Sequence, residues 1–189
     1  MSDFPFSIPR TVVAQTPPFS YKQTAANDSI VCEQWTTGSG NEEKIEKLSG
    51  LLIKPNSGSQ KVLLQLHLLG EWSLNSFACS VSFKRVVDGV ETWLDTHDET
   101  GLGNKKPCNA VFGVVSLPAD VNSTPETLSV ILVDEPNTTK EVTYDVYLLN
   151  ASKTAPATSS TFKLNRTMDD IDDANRERGI STFTAECKG

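Results

Sequence analysis

The sequence Val142-Thr-Tyr-Asp-Val-Tyr-Leu148 decides the fold, because its side chains alternate between apolar and polar. Phe162-Lys-Leu164 repeats this alternation, and Ile180-Ser-Thr-Phe-Thr-Ala-Glu186 repeats it again after the polar stretch 165–179. A period of two places successive side chains on opposite faces of a strand, so each segment buries one face and leaves the other in water. A last strand that follows so charged a loop favours a closed β-module with an assembly or binding role.

The composition bounds the class of protein. The 189 residues suit one domain plus an arm, and 38% hydrophobic with 22% charged residues is ordinary for a globular chain. The formal net charge of −7 disfavours a nucleic-acid-binding surface, since phosphate contacts need clustered Lys and Arg. No segment approaches the ~20 apolar residues of a membrane helix, so no membrane insertion is expected. Residues 1–10 lack the basic start and apolar core of a signal peptide, which predicts synthesis in a cytoplasm without export by the usual route.

Residues 1–28 are predicted to form an extended N-terminal arm. Prolines supply no backbone donor and resist regular structure, and here they alternate with phenylalanines that are unusual in a disordered tail. The arm folds onto its own domain or docks on a neighbouring subunit, and a disordered tail is the remaining alternative. The prolines are Pro5, Pro9, Pro17 and Pro18, and the phenylalanines are Phe4, Phe6 and Phe19.

Residues 29–189 are predicted to form one all-β domain. Turn residues separate roughly nine or ten short apolar segments, and no amphipathic helix is evident. Val62–Leu69 reads as a buried strand, and Asp88-Gly89 between 77–87 and 90–94 predicts a tight hairpin, because Gly supplies the positive φ of the turn. This spacing favours an antiparallel two-sheet sandwich, jelly-roll-like in its connections.

The cysteines do not indicate a metal or redox site. Cys32, Cys79, Cys108 and Cys187 are widely separated, without a C-x-x-C pair. Two disulfides are possible in a secreted protein, but free thiols fit a chain without a signal peptide. Cys32 and Cys79 lie in apolar segments and are expected in the core.

Catalytic and metal-binding patterns are weak. His67 lies within an apolar strand and is expected to be a hydrogen-bonded core or interface residue, and His97 has no second histidine or matched cysteine to complete a metal site. The acidic run 169–173 lacks the spacing of a calcium loop, so a solvated loop balanced by Arg166, Arg176 and Arg178 is expected. There is no G-x-S-x-G elbow and no P-loop. We therefore expect a protein that is not an enzyme and holds no cofactor or metal.

The tail resembles the C-terminal end of small virion proteins of tailed bacteriophages, those of marine and cyanobacterial phages most closely. The residues that carry the resemblance are Phe162-Lys-Leu-Asn-Arg-Thr167, the Asp-rich loop after it, and Arg178-Gly-Ile-Ser-Thr-Phe-Thr-Ala-Glu186. The resemblance implies a jelly-roll module similar to the trimeric tumour-necrosis-factor and C1q folds. It also implies a homotrimer on a capsid or tail, located in the virion, with the arm used for attachment.

Aromatic residues are the expected interface residues, because Trp and Tyr supply large apolar area with a polar edge. For each one, ordinary core packing is the alternative reading. The candidates are Phe4, Phe6 and Phe19 of the arm, and Trp72, Trp93, Tyr144 and Tyr147 of the domain.

Three functions remain open on the sequence alone. The first is a virion structural protein, a head decoration or cement protein or a short appendage, that binds neighbouring virion proteins. The second is a host-attachment spike or fibre tip that binds surface glycan through loops near Trp93 and His97. The third is a non-viral lectin-like sandwich. The chain has no repetitive shaft, which favours the first.

Overall fold

The computed structural model describes residues 29–33, 41–73, 79–94, 108–112, 125–150, 159–169 and 178–188. Within these ranges the chain forms eleven strands and one 3-10 turn, η1 (Glu46–Leu48), and every strand pairing is antiparallel. The strands are β1 (Ser29–Glu33), β2 (Glu43–Lys44), β3 (Leu51–Ile53), β4 (Lys61–Trp72), β5 (Cys79–Val87), β6 (Val90–Trp93), β7 (Ala110–Val111), β8 (Glu126–Asp134), β9 (Val142–Asn150), β10 (Ser159–Leu164) and β11 (Thr182–Lys188).

The strands form two sheets, which confirms the predicted all-β sandwich. In the β4 sheet, β8 pairs with one edge of β4, while β11 and β10 share the other edge and β1 pairs with β10. In the β9 sheet, β9 and β5 are central, with β2 and β3 beside β9 and with β6 and β7 beside β5. The chain crosses repeatedly from one sheet to the other. The jelly-roll assignment stays a prediction, and the arm at 1–28 lies outside the described residues.

The core fills the space between the sheets with the inward side chains of each strand. Along β4, Leu64, Leu66 and Leu68 are buried, whereas the alternate residues Gln65 and His67 are exposed. This alternation follows from the pleat, which turns every second side chain inward. The run 62–69 is therefore a strand, as predicted, but only one of its faces is in the core.

The two sheets meet through stacked aromatic rings and inward residues of β5. Cys79, Val81 and Phe83 are alternate residues of β5 and share one face, and all three are fully buried. The ring of Phe83 stacks on Phe183 of the opposite sheet, with centroids 5.4 Å apart and an interplanar angle of 11°. Burial of each large apolar side chain contributes about 1.5–3 kcal/mol relative to exposure.

The buried cysteines behave as small core residues, as expected. Cys32 and Cys79 are both inaccessible to solvent and are thiols. Burial raises the pKa of the Cys79 thiol to about 12, and it raises the pKa of Cys32 further. Because the thiolate is the reactive form, both side chains are chemically inert in the folded chain.

The predicted hairpin at Asp88-Gly89 is confirmed. Asp88 has φ 51° and Gly89 has φ 78°, so both residues of the turn adopt the left-handed conformation. The flanking strands pair in register from Val87 with Val90 to Lys84 with Trp93. A turn with two positive φ values matches the right-handed twist of its strands, which is why Asp-Gly predicts it so well.

A buried polar clamp joins the two sheets near one end of the sandwich. The carboxylate of Asp134, at the end of β8, accepts hydrogen bonds from the Tyr144 hydroxyl at 2.8 Å and from an Arg85 guanidinium nitrogen at 2.8 Å. Tyr144 is fully buried and Asp134 is 7% exposed. Burial, followed by the adjacent Asp134 carboxylate, raises the pKa of the Tyr144 phenol, which keeps the hydroxyl a donor.

The corner between β10 and β11 is held by Asn165, which has φ 64°. Its Oδ1 accepts hydrogen bonds from the backbone N–H of Ser181 at 2.7 Å and from the Ser181 hydroxyl at 2.6 Å. Arg166, expected on a solvated loop, is only 8% exposed, and it forms an isolated β-bridge with Arg178. In the acidic run, Asp169 is exposed, and residues 170–173 lie outside the described residues. Asn165 and Arg166, at the start of the polar stretch, are therefore held in place by hydrogen bonds and are not part of a solvated loop.

Candidate interaction surface

The outward face of β8, β4 and β11 is the most distinctive surface of the described chain. Its side chains point away from the core, and strand pairing fixes which of them are neighbours. We call it the β8–β4–β11 face, formed by Thr127, Ser129, Ile131 and Val133 of β8, by Leu63, Gln65, His67 and Leu69 of β4, and by Thr182 and Thr184 of β11.

Two large apolar side chains on this face stand in water. Ile131 is 69% exposed and Val133 is 53% exposed. Val133 lies beside Leu63 in the register, and Ile131 lies beside Gln65. Single exposed apolar residues are common on protein surfaces, but neighbouring ones on the same face of a sheet form a patch that a partner can cover.

The centre of the face carries no carboxylate and no ammonium. Its charged groups stand at one end as pairs of opposite sign: Lys61 with Glu135 at 2.5 Å, and Lys188 with Glu186 at 2.6 Å. Charged residues are depleted at the cores of protein interfaces and tolerated at their rims. In this respect the face resembles a protein interface, with its charged side chains at one end.

His67 lies near the middle of the face. Its Nδ1 is 3.1 Å from the Ser129 hydroxyl of β8, and on its other side it is paired with Thr182 of β11. The sequence predicts a hydrogen-bonded core or interface histidine at this position. The structure gives it the hydrogen bond and an exposed position on the outer face rather than in the core.

Two of the aromatic residues expected at an interface lie instead in the core of the single chain. Trp72 is 4% exposed, and its ring centroid lies 5.0 Å from that of Phe162 and 6.0 Å from that of Phe112. Tyr144 is fully buried and donates its hydroxyl hydrogen to Asp134. Both stand at inward positions of their strands, so core packing, the alternative left open by the sequence, is their role here.

The other two domain residues, Trp93 and Tyr147, lie partly exposed on the outer side of the β9 sheet. Their rings meet edge to face with centroids 4.9 Å apart. The Lys84 ammonium stands 4.3 Å from the Trp93 centroid and 4.6 Å from the Tyr147 centroid, and it also bonds Glu91 at 2.7 Å. The ring faces that this cation covers are not available for stacking against a sugar.

Lys84 is held in its charged form at this site. Partial burial lowers the pKa of its ammonium, but the hydrogen bond to Glu91 and the neighbouring Tyr147 outweigh burial and raise the pKa overall. The partnership lowers the pKa of the Glu91 carboxyl. The Lys84 ammonium therefore holds β6 to the sheet through its contacts with Glu91 and Trp93. The remaining candidates, Phe4, Phe6 and Phe19, lie outside the described residues, as does His97.

One sequence pattern indicates the β8–β4–β11 face, although strict apolar–polar alternation does not reveal it. The segment Leu128-Ser-Val-Ile-Leu-Val133 has apolar residues on both faces of the strand, a pattern typical of strands covered on both sides. Its neighbours could not be read from the chain, because Ile131, Gln65 and Thr184 come together only through long-range pairing.

No group of three or more His, Cys, Asp or Glu side chains that could hold a metal occurs in the described ranges. The same ranges include no helix with the length and apolar character that crossing a bilayer demands. Comparison with protein-family models gave no match, and comparison with curated proteins and with solved structures gave none either.

Proposed function

We propose that this protein is a structural subunit of a tailed-phage virion, a head decoration or cement protein or a short appendage. It associates with copies of itself through the β8–β4–β11 face and with neighbouring virion proteins through its arm. The observation that supports the proposal is this exposed sheet face, on which Ile131 and Val133 are exposed to water and the charges of Lys61, Glu135, Glu186 and Lys188 pair at one end. A sandwich with such a face suits assembly.

The partner that binds this face is a second copy of this chain, because the face is neutral whereas the chain as a whole is negatively charged. The chain carries a net charge of −7, so most of its surface repels another copy. The β8–β4–β11 face is different, since the two lysines and two glutamates at its end cancel. A copy that approaches face to face meets apolar side chains and can exchange these ion pairs. A face that meets its own copy closes at two subunits, so this contact gives a dimer, and the trimer that the resemblance of the tail implies would need a further contact.

A virion role is tested by cryo-electron microscopy of phage particles assembled with and without the gene for this protein. The proposal expects difference density on the capsid between capsomers, or on a short appendage, with a shape that fits the sandwich. Density confined to a tail tip would favour the host-attachment alternative. Particles that are identical with and without the gene would contradict both virion roles.

A further inference from the structure

Strand β8 lies at an open edge of its sheet. It pairs with β4 along one side, from Asp134 beside Val62 to Glu126 beside Gly70, and it pairs with no other strand of the described chain. Edge strands present backbone donors and acceptors that can pair with another strand. The free side of β8 is therefore available to a further strand.

The backbone groups at this open edge can be identified from Leu69 of β4. Its N–H donates to the Ser181 hydroxyl at 2.9 Å and its carbonyl oxygen accepts the Asn165 N–H at 2.8 Å, so both groups point toward β10 and β11. Antiparallel pairs alternate between rows that are hydrogen-bonded and rows that are not, so the residues of β4 on either side of Leu69 bond β8. Every second residue of β8 then directs its N–H and C=O to the open edge, where none of these groups has a backbone partner among the described residues: Thr127, Ser129, Ile131 and Val133.

Strand β8 lacks the features that usually keep an edge strand from pairing. Natural edges are protected by lysine, by proline, by a bulge or by a very short strand. Residues 127–133 contain no charged residue, no proline and no glycine. No residue of β8 has a positive φ, its register with β4 is unbroken, and it is nine residues long. The edge is therefore regular and unprotected.

We propose that β8 pairs edge to edge with β8 of a second copy, antiparallel about a two-fold axis perpendicular to the sheet, so that the two β4 sheets become one. Addition of a strand to a sheet edge is a common mode of recognition, and a two-fold contact uses the same surface of both copies. In full overlap, Thr127 meets Val133 across the axis. Ser129 meets Ile131 in the same way, so residues of the open edge always face each other.

The distribution of charge favours a second copy as the partner. The chain has a net charge of −7, so two copies repel each other over most of their surface, but the paired segment 127–133 is uncharged. The charged residues of β8 stand at its ends, and there Asp134 is compensated by Arg85 at 2.8 Å. The axis leaves the β8–β4–β11 faces of both copies on the same side of the joined sheet. This inference goes beyond the proposed function, since the edge contact needs no contact through that face.

Amide hydrogen exchange of the full chain, measured by mass spectrometry over a dilution series, tests the edge directly. We expect the N–H groups of the peptide 126–134 to exchange about tenfold more slowly or less when copies associate, because the second strand supplies their acceptors. Contact through the outer face alone leaves the N–H groups of the open edge without acceptors.

The matched variants are Ser129→Pro and Ser129→Ala. Both remove the hydroxyl, but proline also removes an N–H that points to the open edge, where a single chain tolerates its loss. We expect light scattering to give a smaller assembled mass for Ser129→Pro than for Ser129→Ala, with the same strand signal in far-ultraviolet circular dichroism. Thr127→Pro and Thr127→Ala repeat the comparison if Ser129→Pro does not fold. Ile131 belongs to both the edge and the face, so Ile131→Asp weakens both contacts.

The outcomes separate the edge from the face. Equal masses for the folded proline and alanine variants would reject the edge pairing and leave the contact through the face standing. Slow exchange of the peptide 126–134 in a monomeric wild type would mean that the same chain covers the edge, which also rejects the pairing. A monomeric Ser129→Pro beside a dimeric Ser129→Ala would support the edge pairing and reject the contact through the face. A monomeric wild type would reject both contacts.

Discussion

Replacement of Asp134 by alanine should be among the most damaging single changes in this protein. Its carboxylate accepts one hydrogen bond from the fully buried Tyr144 hydroxyl and one from Arg85, both at 2.8 Å. Alanine leaves a buried phenol without its acceptor, and it leaves a largely buried guanidinium with only the backbone oxygen of Glu135, at 3.4 Å. Removal of one member of a buried ionic group costs about 3–5 kcal/mol, because the remaining charge stays desolvated. We expect a loss of that size in the free energy of unfolding.

Urea unfolding followed by tryptophan fluorescence measures this loss at a fixed protein concentration, since self-association would otherwise change the apparent stability. The adjacent residue supplies a matched control. The side chain of Glu135 is 58% exposed and pairs with Lys61, so Glu135→Ala should cost no more than about 1 kcal/mol, as is usual for exposed ion pairs. If Asp134→Ala costs no more than Glu135→Ala, the clamp between the sheets does not stabilise the fold and our reasoning about it is wrong.

Two further predictions concern the core. Gly70→Ala should destabilise the fold by about 1–3 kcal/mol or more, because a Cβ there would lie 2.3 Å from the Phe162 ring and 2.4 Å from the backbone oxygen of residue 163. Gly58→Ala, with no neighbour nearer than 3.9 Å, is its control in thermal unfolding, and equal melting temperatures for the two variants would refute the steric argument. The thiols of Cys32 and Cys79 should resist iodoacetamide in the native chain and react after unfolding in urea, since burial raises the pKa of both. Mass spectrometry that finds native modification as fast as that in urea would contradict their placement.

Local patterns predicted the strands well, because the alternation of a strand and the residue types of a tight turn both depend on residues adjacent in sequence. Asp88-Gly89 specified its hairpin, and the alternation along 142–148 specified β9. The last strand begins at Thr182 rather than at Ile180, which is 46% exposed. Boundaries of this kind depend on pairing with β4, and pairing is not visible in a local pattern.

The site was harder to predict than the fold, since residue type does not reveal which face of a sheet is covered. Trp72 and Tyr144 looked suited to an interface, but they occupy inward positions and fill the core. The surface that remains for a partner depends on Ile131 and its neighbours, which come from three strands distant in sequence. Only the sheet register brings them together.

Multi-angle light scattering of the wild type and two variants, across a dilution series near pH 8, tests the central claim most directly. Ile131→Asp places a charge on the β8–β4–β11 face, and Val90→Asp does the same to a side chain of nearly equal exposure on the β6 hairpin, 67% against 69%. We predict a multiple of the 20.6 kDa chain mass for the wild type and for Val90→Asp, and the single chain mass for Ile131→Asp. A monomeric wild type, or an Ile131→Asp variant that keeps the full assembled mass, would contradict it.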